Sequence, residues 1–138
     1  MNQNNIYQKL ALIQKQLKGI KKGSYNSFQK YYYFTETQAL RGIKPLLDQY
    51  QLTLTFSDNP ESCVIEKGEK EWTVKYLKNV VLTNNENPTE QLTFHFWALG
   101  QNTDLAKAKG SAETYSIKYF LTKFFLIPTS DNLDPDQK

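Results

Sequence analysis

The chain has 138 residues and a mass of 16.1 kDa, which is enough for one domain of ordinary size but too short for two. A composition of 39% hydrophobic and 22% charged residues, with one cysteine and one histidine, excludes low-complexity chains, disulfide scaffolds and clustered zinc sites. The net charge of +3 is mild, and the lack of a long apolar run or signal peptide predicts a cytoplasmic protein without a membrane partner.

The first two predicted elements are helices. Apolar residues recur every three or four positions at the N-terminus and predict a helix that Gly19 and Gly23 end: Ile6, Leu10, Ile13, Leu17 and Ile20. A non-periodic stretch of aromatic and basic residues follows over 21–34. Thr35 and Gln38 then form the capping-box pattern of a second helix, with Ala39, Ile43, Leu46, Leu47 and Tyr50 as its apolar stripe. Pro45 is expected to kink this helix or to mark a new first turn.

From residue 52 the apolar period changes to two, which predicts antiparallel strands joined by polar turns. The predicted strands cover 52–57, 63–66, 72–82 and 92–99. Turns are expected over 57–61, 67–70 and 84–89, and a loop over 100–104. Within the long third strand, Lys75 and Lys78 have opposite parity, and we expect Lys75 to point outward because Trp72, Val74 and Tyr76 point inward.

The last predicted element is a helix that begins after the N-cap residue Asp104 and ends before Pro128. Its rotation of about 100° per residue groups one polar stripe, namely Lys107, Ser111, Thr114, Lys118 and Thr122. An apolar arc that should contact the sheet comprises Ile117, Phe120, Leu121 and Phe124. Tyr115 and Tyr119 lie between the two, where they fit either stacking on nucleic-acid bases or packing in a core or interface.

Together these elements predict an α+β fold with N-terminal helices, a three- to four-stranded antiparallel β-meander and a C-terminal helix packed on the sheet. No internal repeat or linker divides the chain. We therefore expect one domain over 1–128 and an acidic flexible tail over 129–138.

The charges are segregated along the chain. Residues 1–50 carry eight basic and two acidic residues, and residues 105–127 carry four basic residues and one acidic residue. The middle, 51–104, carries four lysines and eight acidic residues. A basic surface built from the two ends of the chain would suit a polyanion, although lysines on solvated helix faces fit the same pattern.

Two stretches resemble the ERF (essential recombination function) family of phage single-strand annealing proteins. The first, around 27–56, contains FQKYYYFTETQALRGIKPLLDQYQLTLTF, which is similar to the aromatic and basic entry, helix and first strand of the family. The second, GQNTDLAKAKGSAETYSIKYFLTKFFLIP over 100–128, carries its most distinctive motif at eight positions: Gly110, Ser111, Ala112, Thr114, Tyr115, Lys118, Tyr119 and Leu121. The middle strands match only in pattern.

This resemblance implies a protein that binds single-stranded DNA without ATP or another cofactor and pairs complementary strands during phage recombination or replication. It also implies a ring or helical homo-oligomer, a β-β-β-α core related to other annealing proteins, and a location in the host cytoplasm if the chain is phage-encoded. Family members often continue into a second region, so the chain is either a piece of a longer protein or a minimal member. A single-strand-binding protein and an exonuclease are the further candidate partners.

We assign the candidate DNA contacts by residue type. Phosphate contacts are expected from the basic residues Lys21, Lys22, Lys30, Arg41, Lys75, Lys107, Lys109 and Lys118, and from the hydroxyls of Ser111 and Thr114. Base stacking is expected from Tyr32, Tyr115 and Tyr119. As alternatives, Arg41 also fits an ion pair within its helix or between protomers, and each tyrosine also fits structural packing.

Nothing in the sequence indicates an enzyme or a metal site. It contains no phosphate-binding Gly-x-x-x-x-Gly-Lys loop, and His95 and Cys63 fit structural roles better than catalytic ones. The competing hypothesis is a protein-interaction or oligomerisation module of a phage replication or recombination complex, without annealing activity of its own.

Overall fold

The computed structural model describes residues 4–17, 19–21, 24–27 and 31–130. Three helices lie in these ranges: α1 Ile6–Gln16, α2 Glu36–Gln49 and α3 Leu105–Phe124. The main sheet has three antiparallel strands in the order β4 Leu52–Lys67, β5 Trp72–Asn84 and β6 Gln91–Asn102. The four short strands are β1 Ile20–Lys21, β2 Ser24–Asn26, β3 Tyr31–Tyr33 and β7 Thr129–Ser130. The predicted α+β fold is confirmed.

Both N-terminal helices begin with capping boxes. At α1 the backbone N–H of Gln8 donates to Asn5 Oδ1 and that of Asn5 donates to Gln8 Oε1, each at 2.8 Å. The same reciprocal bonds join Thr35 and Gln38 at α2, as predicted. Helix α1 ends at Gln16, before Gly19, whereas α2 continues through Pro45 to Gln49.

Strand β4 is continuous, so the turn predicted over 57–61 and the separate strand over 63–66 are wrong. The chain instead forms a bulge, because the register with β5 shifts between Asn59 and Val64. Ser62 stabilises the bulge: its Oγ accepts the N–H of Leu77 at 2.7 Å and donates to the carbonyl of Asn59 at 2.6 Å. A hydroxyl therefore satisfies a backbone amide that the bulge removes from the β ladder.

The main sheet has an inner face covered by α3 and an outer face. Inner-face side chains of β5 are buried, including Val74, Tyr76, Val80 and Leu82. Strand β6 continues past its predicted end, and its Gly100 lies directly under α3: a Cβ at this position would stand 2.6 Å from the backbone nitrogen of Ala112. The missing side chain therefore permits the close approach of α3 to the sheet.

A buried lysine joins α1 to the turn between β5 and β6. Lys9 is only 2% exposed, and its Nζ donates to Asn84 Oδ1 at 2.7 Å and to Glu86 Oε1 at 2.6 Å. Asn84 in turn donates its Nδ2 hydrogen to Glu90 Oε1 at 2.7 Å. These bonds compensate the desolvation of the ammonium group and fix α1 beside the core formed by Ile6, Ile13, Ala39, Ile43, Leu52, Leu82, Leu121 and Phe125.

Three of the short strands lie where the sequence predicted no regular structure, whereas Ile20, predicted on the stripe of the first helix, lies in β1 and pairs with Thr129. Strands β2 and β3 form an antiparallel hairpin, and β1 pairs in parallel with β7. The tail predicted from residue 129 therefore begins with the two residues of β7, and 131–138 lie outside the described residues. The domain boundary itself stays a prediction.

Candidate nucleic-acid interface

A groove with a volume of about 390 Å³ lies between α3 and the free edge of β6. We call it the aromatic groove, and its lining residues are Phe96, Trp97, Leu99, Tyr115, Ser116, Tyr119, Phe120 and Lys123. The groove includes Phe96 from the inner face of β6 and Trp97 and Leu99 from the outer face. It therefore spans the edge of the sheet.

Several groove residues expose large apolar surfaces. Trp97 is 52% exposed, Leu99 56% and Tyr119 58%. Behind them Phe120 is a packing centre, because its ring stacks on Phe96 at 4.8 Å and on Phe124 at 5.1 Å between centroids. The exposed rings are thus supported from beneath by a fixed aromatic cluster.

Cations lie beside the exposed rings. On the outer face of the sheet, Lys75 Nζ lies 4.6 Å from the centroid of the Trp97 ring, within the range of a cation–π contact. On α3, Lys123 follows Tyr119 by four residues and lines the same groove. The predicted outward orientation of Lys75 is confirmed.

Tyr115 and Tyr119 form a stacked pair on α3. Their ring centroids are 6.5 Å apart and the ring planes differ by 16°. The four-residue spacing places both on one helix face, together with Lys123. Flat, partly exposed rings beside a cation suit a nucleotide strand, because the rings can stack on its bases and the cation can contact its phosphates.

On the inner face of the sheet, four charged side chains and one tyrosine form an ion cluster. Lys78 Nζ donates to Asp58 Oδ1 at 2.7 Å and to Glu113 Oε2 at 2.6 Å. Lys109 Nζ contacts Glu113 at 2.9 Å and Asp58 at 3.3 Å, and the hydroxyl of Tyr76 donates to Glu113 at 2.6 Å. The cluster joins the bulged strand β4, strand β5 and helix α3.

The cluster shifts the pKa of its members. Burial raises the pKa of Glu113, but hydrogen bonds from Lys78, Tyr76 and Lys109 outweigh this effect and lower it to about 2. Burial lowers the pKa of Lys109, yet its hydrogen bonds to Glu113, Tyr76 and Asp58 raise it above its ordinary value. Burial and the bond to Glu113 raise the pKa of Tyr76. These shifts favour the charged forms of Glu113 and Lys109 and the neutral form of Tyr76.

The structure brings only part of the predicted site together. Lys75, Tyr115 and Tyr119 lie at the aromatic groove. Arg41 on α2 and Lys107 and Thr114 on α3 are exposed, and Ser111 is half-buried. Lys109 is held in the ion cluster, where acidic side chains offset its charge. The structure describes the backbone of Lys21 in β1 and of Tyr32 in β3, whereas Lys22 and Lys30 lie outside the described residues.

The polar stripe predicted on α3 is wrong for two of its members. Lys118 and Thr122 are buried rather than solvated, with exposures of 6% and 9%. The cause is the segment before α2, because the Lys118 Nζ lies 4.8 Å from the ring of Phe34 as well as 5.2 Å from that of Tyr115. A contact between Lys118 and a DNA phosphate stays a prediction.

Trp97, Leu99 and Lys123 line the groove but were not predicted as site residues. Two signals in the sequence point to them. Trp97 and Leu99 are large apolar residues that alternate with Phe96 and Ala98 along the strand, so their side chains point to the opposite face of the sheet and cannot join the inner core. Lys123 completes a four-residue repeat with Tyr115 and Tyr119, which places all three on one helix face.

His95 and Cys63 are not among the residues that line the groove. His95 is exposed, and its Nδ1 lies 2.6 Å from Oδ1 of Asn79 in the adjacent strand. Cys63 is exposed beside the bulge. Across the described ranges no His, Cys, Asp and Glu side chains are grouped to hold a metal ion, and no described helix is long and apolar enough to cross a membrane.

A comparison with models of protein families identifies the family of the chain. The sequence model of the ERF superfamily matches residues 6–138, which is nearly the whole chain and includes the groove, the ion cluster and all three helices. No curated protein matches the sequence significantly.

Proposed function

The chain belongs to the ERF family, and from this premise we propose that it binds single-stranded DNA at the aromatic groove and anneals complementary strands without ATP. ERF proteins act in phage recombination as DNA-binding and annealing proteins rather than as catalytic enzymes. The finer activity, its oligomeric form and its residues are our proposal.

The contact between Lys75 and Trp97 carries this proposal. The Lys75 Nζ lies 4.6 Å from the centroid of the half-exposed Trp97 ring. The lysine can contact a phosphate of a DNA strand, and the adjacent indole can stack on one of its bases. Stacking on an aromatic ring contributes about 1–3 kcal/mol per base and tolerates any sequence. Both properties suit annealing, which needs a strand that is held by its backbone with bases accessible for pairing.

The remaining basic residues and the hydroxyl of Thr114 would extend the path of the DNA strand. Lys123 lies in the groove, and Lys107, Arg41 and Thr114 are exposed on the helices. Each phosphate neutralised should lower log K by about 0.7 per decade of salt. With four to six contacts per protomer, the slope should be about −3 to −4.

The aromatic groove, with a volume of about 390 Å³, can hold only a short length of DNA, so annealing would require many copies along one strand. We therefore propose a homo-oligomer, either a ring or a helical filament, that acts in recombination and repair in the host cytoplasm. A single-strand-binding protein or an exonuclease would supply its substrate.

The first test measures binding of a labelled oligothymidine across a salt series. We expect Trp97→Ala to weaken binding about ten-fold, which corresponds to one lost stacking contact. Lys75→Gln should reduce the salt slope by about 0.7. The matched control is Lys67→Gln, because Lys67 also lies over a tryptophan, 5.4 Å from the Trp72 ring, but within the acidic β4–β5 hairpin.

Equal effects of Lys75→Gln and Lys67→Gln would contradict the proposed location. The second test mixes two complementary oligonucleotides, labelled for energy transfer, with the protein in the absence of nucleotide. Faster pairing than in buffer is expected, and a requirement for ATP would overturn the proposed mechanism.

The competing function is that of an interaction module without annealing activity. The observation in its favour is the lining of the aromatic groove, which is almost entirely apolar, with Lys123 as its one charged member. Self-association without any binding of oligothymidine at low salt would support this alternative over annealing.

A further inference from the structure

Strand β6 is a long edge strand without the features that usually protect an edge. Its sequence QLTFHFWALGQN contains no Asp, Glu, Lys, Arg or Pro. It pairs with β5 in unbroken register from Trp72↔Asn102 to Thr83↔Gln91. Within the described ranges no strand pairs with its other side. Unpaired N–H and C=O groups therefore extend along an uncharged, regular strand.

The opposite edge of the same sheet differs in each respect. Strand β4 contains Pro60, the bulge between Asn59 and Val64, and the charged residues Asp58, Glu61, Glu66 and Lys67. Proline, bulges and charges are the devices by which natural edge strands avoid pairing with other chains. The sheet is thus protected at β4 and open at β6.

The side chains around the β6 edge are those of a surface that is covered by another chain. Trp97 and Leu99 expose more than half of their surface on the outer face, and Phe94 exposes 37% on the inner face. The aromatic groove spans this edge. A strand added at the usual spacing of about 4.8 Å would lie beside β6 in the plane of the sheet, where it covers the sides of these side chains that face the edge and leaves the outer surface of the Trp97 ring accessible.

We propose that β6 pairs antiparallel with β6 of a second copy of this chain, which creates a six-stranded sheet across a two-fold axis. Antiparallel pairing of a strand with itself is two-fold symmetric. Because β6 contains no Asp, Glu, Lys or Arg, no register of this pairing places two such like charges on opposed strands. Pairing with β4 would instead meet Pro60, the bulge and four charges.

This inference deepens the proposed homo-oligomer, and it rests on the strand edge rather than on DNA binding. The hydrogen bonds would lie in the plane of the sheet, whereas outer-face side chains stand perpendicular to it. The Lys75–Trp97 pairs of both copies would then lie on the same outer face. A two-fold contact is closed, so a ring or filament would need a second interface elsewhere on the chain.

The sheet offers a matched pair of variants as a test. Thr55, Val81 and Thr93 form one cross-strand row, and Ser57, Asn79 and His95 form another, all on the outer face and none of them lining the aromatic groove. Thr93→Lys/His95→Lys places two lysines on β6, and Thr55→Lys/Ser57→Lys places two lysines on the same rows of β4. All four positions are exposed, so both proteins should fold.

Sedimentation velocity without DNA would measure the association of each protein. We expect the unaltered chain to form dimers or multiples of dimers, the β6 variant to dissociate at least ten-fold more readily, and the β4 variant to associate like the unaltered chain. A monomeric unaltered chain, or equal effects of the two variants, would overturn the proposal.

Cysteine cross-linking identifies the symmetry. In a Cys63→Ser background, single cysteines are introduced at Thr93, His95, Leu99 and Gln101, one at a time, and oxidised. Two-fold pairing predicts self-cross-linking at only one or two neighbouring positions near the axis. The proposal would be overturned if none of these β6 cysteines cross-linked to itself and cross-linking occurred only in a mixture with a protein that carries its single cysteine on β4.

The outcome is separable from the proposed function. A dissociated β6 variant that still binds oligothymidine would support the interface as the site of association and leave DNA binding at the groove intact. Dimers of the unaltered chain that do not bind DNA would support the interface and contradict the proposed function.

Discussion

Lys75 and Lys78 lie three residues apart on β5, but on opposite faces of the sheet, and the two faces use lysine differently. On the inner face Lys78 is 5% exposed and bonds to two carboxylates from other elements. On the outer face Lys75 is exposed and contacts only an aromatic ring among its described partners. Lys78 joins α3 to the sheet, whereas Lys75 is exposed and is the lysine that we propose for contact with DNA. The direction of a side chain therefore decides the role of a lysine more than its position in a basic block.

The largest expected effect is loss of the inner lysine. Lys78→Met leaves the carboxylates of Asp58 and Glu113 without their best partner, and we expect the free energy of unfolding to fall by about 3 kcal/mol. Lys75→Met, the outer control, should change it by less than about 0.5 kcal/mol. Urea denaturation measures both. Equal destabilisation by the two variants would contradict the contrast between the faces.

The second effect compares two glycines. A methyl group at Gly100 would collide with the backbone of α3, so Gly100→Ala should cost about 2–3 kcal/mol. No atom lies within 4 Å of a Cβ at Gly110 on α3, so Gly110→Ala should stabilise the protein by about 1 kcal/mol through helix propensity. Thermal unfolding measures both changes: we expect the melting temperature to fall for Gly100→Ala and to rise for Gly110→Ala. A neutral Gly100→Ala would show that α3 can move away from the sheet.

The third effect is acid sensitivity of the inner face. The pKa of Glu113 falls from 4.5 to about 2 on folding, so its ionised form stabilises the protein above pH ~4.5. This contribution should be lost as the pH falls from about 4.5 towards 2. Glu113→Gln should flatten the decline of the unfolding free energy in this window, whereas Asp48→Asn, at an exposed pair, should not. An unchanged pH profile of Glu113→Gln would contradict a stabilising role for the cluster.

The smallest effect concerns the outer surface. Lys107 on α3 is exposed, so Lys107→Gln should lower affinity for all single-stranded sequences equally. The salt slope should shrink by no more than about 0.7. Filter binding with oligothymidine and oligocytidine at several salt concentrations measures both quantities. A loss confined to one sequence would contradict phosphate contact.

Local patterns in the sequence predicted most of the fold. The change of apolar period from 3.6 to two located the helices and strands, and Thr35 with Gln38 located the start of α2. The bulge was missed because Asp-Asn-Pro has the composition of a turn, while its stabilisation depends on Ser62 and on Leu77 of the next strand. Contacts between strands cannot be predicted from the local pattern of residues in either strand.

The candidate site was less predictable for the same reason. The buried position of Lys78 depends on Asp58 and Glu113, which are 20 and 35 residues away in sequence. Likewise the burial of Lys118 depends on Phe34 in a distant segment. Tyr115, Tyr119 and Lys75 were identified from helix and strand periodicity, because periodicity alone determines the face on which they lie.

The buried Lys9 has a consequence for the order in which the chain folds. Its partners Asn84 and Glu86 are 75 and 77 residues away, and they are positioned by the turn that joins β5 to β6. A local hairpin forms in microseconds, whereas contacts of high sequence separation must wait for loop closure. Helix α1 should therefore dock last and open first. Native-state hydrogen exchange should find its amides opening at lower free energy than those of β5, and Lys9→Met should enlarge that difference.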